Sequence, residues 1–224
     1  LGRVIPGGEL EDSSLGEAFA QARGMGNADI AVADFAPYAP SDGAQAAFMM
    51  ARVVTPEAGH VGYVAFQVPT DGLNAIVQSR EGMGETGESY LVGRHQGRTA
   101  FRSDMLTMGD GEYVVGREIG TPYIDAALDG ESVREVFTDS AGRLVLVTAD
   151  PLELPGLDWA LVTKKNLQEA LVGSTEGKDF FAHYIEAYGY YDLFLIHPEG
   201  KVFYTVTREA DYGTNMVDGR YRDS

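Results

Sequence analysis

Cysteine is absent from this 224-residue chain. That excludes disulfides, thiolate chemistry and cysteine-ligated metals, and leaves the compartment open. Long apolar runs are also missing: no stretch of about 18 apolar residues reads as a bilayer span. The opening LGRVIPGGELED has no apolar core of the kind a signal peptide carries. Positive charge is scarce, with 17 Lys and Arg against 34 Asp and Glu, a formal net charge of -17. A surface this acidic repels phosphate backbones and anionic headgroups, so neither nucleic acid nor a lipid surface is an expected partner. The four histidines, His60, His95, His183 and His197, lie without i, i+4 spacing or an H-E-x-x-H motif, so no metal site is expected. No serine sits in a nucleophile elbow, and spacing nominates no Ser, His, Asp set.

What is present reads as α+β. SLGEAFAQAR, capped at Ser14, has Leu15, Ala18, Phe19 and Ala22 on one helical face. ADIAVADFAPYAP is a strand that runs into prolines. AAFMMARVV and GHVGYVAFQV form an antiparallel hairpin across TPEAG. DGLNAIVQSR is a helix capped by Asp71. ESYLVG and RTAFRSD are strands around RHQG, and IDAALDGESVREVF is mostly helical with a break at Gly130. VFTDSAGRLVLVTADPL and LDWALVTKK are strands, the first pair joined by a DSAG turn. NLQEAL starts a helix, VGSTEGK is a small-polar linker, and KDFFAHYIEAYGYY is an aromatic helix. YDLFLIHPEGKVFYTV is a hairpin with PEG at its turn.

Gly82, Gly84 and Gly87 match G-x-G-x-x-G, but the loop follows a helix and precedes a strand. A dinucleotide site needs the reverse order, so the loop is read as a junction. Asp34-Phe35-Ala36-Pro37-Tyr38 is more informative. Two prolines, Pro37 and Pro40, fix the backbone where the strand ends, and Asp34 and Tyr38 bring polar groups into an apolar stretch. That is the composition of a small-ligand wall; it is equally that of a turn cap beside a core tyrosine. The aromatics Tyr188, Tyr190, Tyr191, Phe194, Phe203 and Tyr204 are expected mostly in a core, with Phe203 and Tyr204 on opposite sheet faces. Asp211 and Thr214 lie in a loop able to close over a ligand.

Several strings resemble the double Cache (PAS-like) sensor domains of bacterial chemoreceptors and sensor kinases. They are YIEAYGYYDLFLIHPEGKVFYTV, READYGTN, DFAPYAPSDGAQAAF, and REGMGETGESYLVG with RSD fifteen residues beyond Glu88. The resemblance covers most of the chain and implies two PAS-like modules, each an antiparallel sheet with flanking helices. The chain order departs from the family, in which the GYYDLFLI hairpin and the DYGTN loop come before DFAPYAP. A circular permutation accounts for this and points to an engineered order; a truncated second copy opening at residue 178 is the rival. Under permutation, residues 14–80 with 178–224 make a membrane-distal ligand-binding module. Residues 81–172 make a smaller membrane-proximal one with a core at Trp159, Leu161, Leu144 and Leu146. Residues 1–13 and 173–177 are linkers, and the hairpin at 191–207 joins the sheet of residues 28–68.

The resemblance implies an extracytoplasmic small-molecule sensor, the periplasmic part of an inner-membrane receptor, homodimeric at full length and attached to the membrane only through segments outside this chain. It implies no enzyme activity and no cofactor. The expected ligand is a small organic molecule held in the distal module by Asp34, Phe35, Tyr38, Phe48, Phe66, Tyr191, Tyr204, Asp211 and Thr214, with Asp34 favouring an amine or hydroxyl. The alternatives are a hydrolase-type enzyme and an interaction module with no ligand.

Overall fold

The computed structural model describes residues 4–108, 113–139, 142–172, 174–175 and 178–223. Ser140 and Ala141 of the expected DSAG turn, and Gly173, Glu176 and Gly177 of the expected linker, lie outside the described residues. Mixed helices and antiparallel sheets are present, as expected for α+β.

Helix α1 (Ser14–Gly24) is capped by Ser13, whose side chain accepts from the Gly16 amide, one residue earlier than the sequence pattern placed the cap. Ser14 is buried instead and donates to the Ala46 carbonyl at 2.8 Å. Strands β1 (Ile30–Pro37), β2 (Gln45–Thr55) and β3 (Gly59–Gln67) form a three-stranded antiparallel sheet in that order. Alternation along β1 and β2 sends Ala31, Ala33, Phe48 and Met50 to one face, where they bury Ala18 and Ala22 of α1. Helix α2 (Thr70–Val77) begins after Pro69, with no side-chain cap; Asp71, expected as the cap, lies in its first turn.

Strands β4 (Glu88–His95) and β5 (Arg98–Phe101) form a hairpin whose two turn residues, Gln96 and Gly97, both have positive φ, as a type I′ turn demands. Helix α3 (Pro122–Leu128) is capped by Thr121. VREVF, expected to continue that helix, is strand β6 (Val133–Thr138). Gly130 at φ 95 ends the helical path, and the β-branched and aromatic residues that follow favour extension. β7 (Leu144–Leu154) and β8 (Leu157–Asn166) complete a five-stranded sheet of order β5-β4-β8-β7-β6. In β7 the buried positions are Leu144, Val145, Val147 and Ala149, so Leu146, expected in the core, takes the half-buried face. A shift of one residue exchanges the two faces of a strand, and the LVLV run does not distinguish them.

Helix α4 (Leu167–Leu171), the short strands β9 (Ser174–Thr175) and β10 (Lys178–Asp179), helix α5 (Phe180–Tyr188), and strands β11 (Phe194–Ile196) and β12 (Val202–Thr205) follow. The β11-β12 hairpin is a two-stranded sheet of its own. It does not extend β1–β3, so the pairing required by a permuted chain is not formed.

Contacts divide the chain into two compact units. The first holds the described residues up to Ser79, with Glu88–Val133 and Thr148–Thr163; the second holds Arg80–Gly87, Arg134–Val147 and the residues from Lys164 onward. Trp159 and Leu161, expected in a separate proximal core, pack with Phe35, Ala47 and Leu91 in the first unit.

Candidate functional site

In the first unit, the strand-end segment Asp34–Tyr38 is built into the core. Asp34 is 4% exposed, and a carboxylate held there needs donors. Arg102 supplies a fork: Nε donates to Oδ1 at 2.8 Å and Nη2 to Oδ2 at 2.8 Å. The indole Nε1 of Trp159 donates to Oδ1 at 3.0 Å, and the Phe35 amide at 2.7 Å. Such bidentate, charge-assisted geometry is the strong form of an ion pair. Phe35 stacks on Trp159 at 6.1 Å between ring centroids, and Tyr38 meets Phe48 edge to face at 5.0 Å. Asp34, Phe35, Tyr38 and Phe48 are therefore all buried, Phe35 in the cluster with Trp159 and Tyr38 with Phe48 in a second cluster, while Phe66 is 66% exposed on β3.

Arg102 and Trp159 were missed as partners of Asp34. The available signal was weak: Arg102 directly follows Ala100 and Phe101, and a buried carboxylate requires a cation, but Arg94 and Arg98 stand close by in the same stretch. The loop after Arg102 is pinned by further polar contacts. Asp104 accepts from Asn74 Nδ2 at 2.7 Å and from the Val114 amide at 2.8 Å. Buried Glu88 accepts from the Thr107 amide and hydroxyl at 3.0 and 2.9 Å. An apolar cleft of about 320 Å³ lies alongside, walled by Leu73, Ile76, Val77, Leu152 and Trp159.

In the second unit, the aromatic run is mostly bare: Tyr188, Tyr190, Tyr191 and Phe194 are exposed, and only Tyr204 is buried. The core expected there does not form around them, because α5 has no buried residue. Tyr204 donates to Asp179; burial first, and that carboxylate second, raise its hydroxyl pKa. Asp192 accepts from the amides of Leu193, Val206 and Thr207 and from the Thr207 hydroxyl at 2.6 Å. Burial acts to raise the Asp192 pKa, but these donors outweigh it and hold it below the ordinary carboxylate value.

Beside this, Tyr191 donates to Glu209, and that bond, with the charges of Glu209, Asp192 and Asp211, raises its pKa. Glu209, Ala210, Asp211, Met216 and Tyr221 line a recess of about 220 Å³. Asp211 Oδ1 is buried and has no hydrogen-bond partner among the described residues. Thr214 donates its hydroxyl to the Asp211 carbonyl at 2.6 Å and fixes the loop. The nine expected site residues thus fall into two groups, Asp34 to Phe66 in the first unit and Tyr191 to Thr214 in the second.

The glycine loop at 82–87 has its anion supplied internally. Glu169 accepts from the amides of Glu85 and Thr86, both at 2.8 Å, and from the Thr86 hydroxyl. Burial alone would raise the Glu169 pKa; these bonds and Lys165 lower it to about 2. Among the described residues no group of His, Asp and Glu could hold a metal ion.

No family model matches the chain, and no curated protein does. Solved structures do. One titled methyl-accepting chemotaxis protein X aligns at TM-score 0.50 and 12% identity, over 71% of this chain and 56% of that one. The ligand-binding domain of the Pseudomonas fluorescens chemoreceptor CtaA, in complex with L-leucine, gives TM-score 0.45 at 14% identity over 71% and 62% of the two chains. That of the Pseudomonas aeruginosa amino acid chemoreceptor PctC, in complex with GABA, gives 0.45 at 18% over 74% and 66%. The chain spans less than two thirds of the length of each of these. At such identities the likeness is one of fold, and the chain has the α+β, PAS-like fold of the solved chemotaxis protein.

Proposed function

We propose that this chain is the extracytoplasmic small-molecule-sensing part of a bacterial transmembrane signalling receptor, and not an enzyme. The single observation that carries a ligand site is Asp211, which lines a recess and keeps one buried oxygen without a hydrogen-bond partner among the described residues. An orphan buried acceptor is costly, and a ligand donor relieves the cost. The fold it shares with a chemotaxis protein supports sensing by analogy of fold.

The ligand is a small organic molecule carrying an amine or a hydroxyl. Asp211 is its acceptor, Glu209 lines the same recess as a second carboxylate, and Tyr191 donates to Glu209. Thr214 and Tyr204 position the loop and the strand beneath it. Asp34, first expected in this role, already has its oxygens taken by Arg102 and Trp159, so in this reading it organises a core. Binding shifts the balance between two arrangements of the domain, and membrane segments outside this chain carry the shift to the output.

A thermal-shift screen of amines, amino acids, organic acids and purines tests this, because a ligand of the native state raises the melting temperature. Asp211→Asn is expected to weaken a hit about tenfold to a hundredfold, from the roughly 1–3 kcal/mol of one buried polar contact. A hit whose affinity is unchanged in Asp211→Asn and in Tyr191→Phe places the ligand elsewhere.

A further inference from the structure

Positive charge is scarce in this chain, so its placement is informative. Asp and Glu outnumber Lys and Arg 34 to 17, and a cation has carboxylates in plenty to pair with. Lys165 pairs with Glu169 at 3.4 Å, and Arg143 with Asp139 at 2.8 Å. Lys201 has no carboxylate at ion-pair distance among the described residues; its ammonium donates to the Gly142 carbonyl. That bond uses one of the three hydrogens a lysine carries.

Within the second unit, Lys201 lines a recess of about 280 Å³ together with Arg143, Leu144, Asn166, Gln168 and Phe203. Asn166 caps α4, and its side-chain oxygen accepts from the Gln168 amide at 2.9 Å. Gln168 Oε1 accepts from the Tyr212 hydroxyl at 3.0 Å. The loop carrying Tyr212 is tied to β12, since the Gly213 amide donates to the Val202 carbonyl at 3.0 Å and the Val202 amide to the Thr214 carbonyl at 2.8 Å. These bonds decide which ends of the two carboxamides are left. Each oxygen is taken, and neither nitrogen has an acceptor among the described residues. The recess therefore carries donors on three of its residues, Lys201, Asn166 and Gln168, while no Asp or Glu lines it.

We infer that this recess is a second ligand site, for a small organic monocarboxylate. A carboxylate only accepts hydrogen bonds, which is what a set of donors without acceptors requires. Arg143 adds little charge, because Asp139 neutralises it. One uncompensated cation matches a monoanion, and a phosphate dianion would bring a surplus negative charge to a chain already at -17. Leu144 and Phe203 give the wall an apolar part that suits an organic body and not an inorganic ion. The volume lies at the lower end of the roughly 300–1,000 Å³ range of ligand pockets, so the ligand is small. This recess shares no lining residue with that of Asp211, and the inference does not rest on the reading of Asp211.

Calorimetric titration of the full chain with butyrate and with benzoate tests this, against benzamide as the uncharged analogue and inorganic phosphate as the other anion. At least one of the two carboxylates is expected to bind, and benzamide and phosphate are not. Gln168→Glu keeps the acceptor that Tyr212 uses and replaces the donor by a negative charge, so it is expected to abolish binding. Lys201→Met is expected to weaken binding roughly tenfold to a hundredfold, the worth of one hydrogen bond to a charged group. Lys201→Arg is expected to retain binding, and Asp211→Asn to leave it unchanged. Melting followed by circular dichroism identifies which variants fold as the unmodified chain does. Failure of both carboxylates to bind overturns the inference, as does equal binding of benzamide or of phosphate. Affinity unchanged in whichever of Gln168→Glu and Lys201→Met is folded overturns it too. Loss of binding in a folded Asp211→Asn overturns it by moving the carboxylate to the other recess.

Discussion

Removing the Asp34 carboxylate is expected to destabilise the first unit rather than merely retune a binding site. Asp34→Ala strands the Arg102 guanidinium, whose side chain is 3% exposed, together with the Trp159 Nε1–H and the Phe35 amide. Arg102 keeps only its Nη1 bonds to the carbonyls of Ala100 and Phe101, at 3.2 and 3.3 Å, which offset little of its charge. Breaking a buried pair by removing one partner costs about 3–5 kcal/mol. That is a large part of the roughly 5–15 kcal/mol by which domains are stable, and about 6–20 °C in melting temperature for a chain of this size. Urea unfolding followed by fluorescence measures it cleanly, because Trp159 is the only tryptophan and its indole touches the perturbed group. Asp34→Leu combined with Arg102→Met removes both charges and is expected to recover most of the loss, giving a coupling energy in the double-mutant cycle. A cost below about 1 kcal/mol for Asp34→Ala, or a double variant no more stable than the single, would refute the reasoning.

Three further outcomes are expected. Gly93→Ala would place a methyl 2.5 Å from Trp159 Cδ1 and 2.9 Å from Arg102 Nε. Both groups are fixed by Asp34, so overpacking is expected to cost about 1–3 kcal/mol, and an unchanged urea midpoint would contradict this. Trp159→Ala is expected to cost about 3–5 kcal/mol through the cavity left between Phe35 and Leu91; an unchanged melting temperature would remove it from the core. Glu169 has its folded pKa depressed to about 2, against about 4.3 unfolded. Its contribution is present above the unfolded value and is lost as pH falls through the folded one. The stability gap between the unmodified chain and Glu169→Gln, followed by circular dichroism, should therefore shrink from pH 5 to pH 2; a gap independent of pH refutes the assignment.

Local pattern was enough for most elements. The apolar run AAFMMARVV became β2, the proline-bounded ADIAVADF became β1, the alternating LDWALVTKK became β8, and the apolar stripe of SLGEAFAQAR became α1. The pattern failed where adjacent residues offered no contrast. VREVF follows a helix with no period of its own, and LVLV is apolar on both faces. Ser13 and Ser14 are chemically alike, so only the burial of Ser14 under Ala46 decides which of them caps the helix.

The candidate sites divide along the same line. Asp34 was legible as a polar group in an apolar strand, but its role was not, because its partners lie 68 and 125 residues away. A carboxylate aimed at Arg102 and Trp159 and one aimed at a ligand look the same in sequence. Asp211 was legible as a loop acid; its orphaned oxygen depends on which donors the folded loop fails to bring near. The β11-β12 hairpin was determined by its own residues, since alternation and a turn are local. That it stands as a two-stranded sheet of its own was not, because backbone hydrogen bonds at a strand edge carry no side-chain code to say which edge they meet.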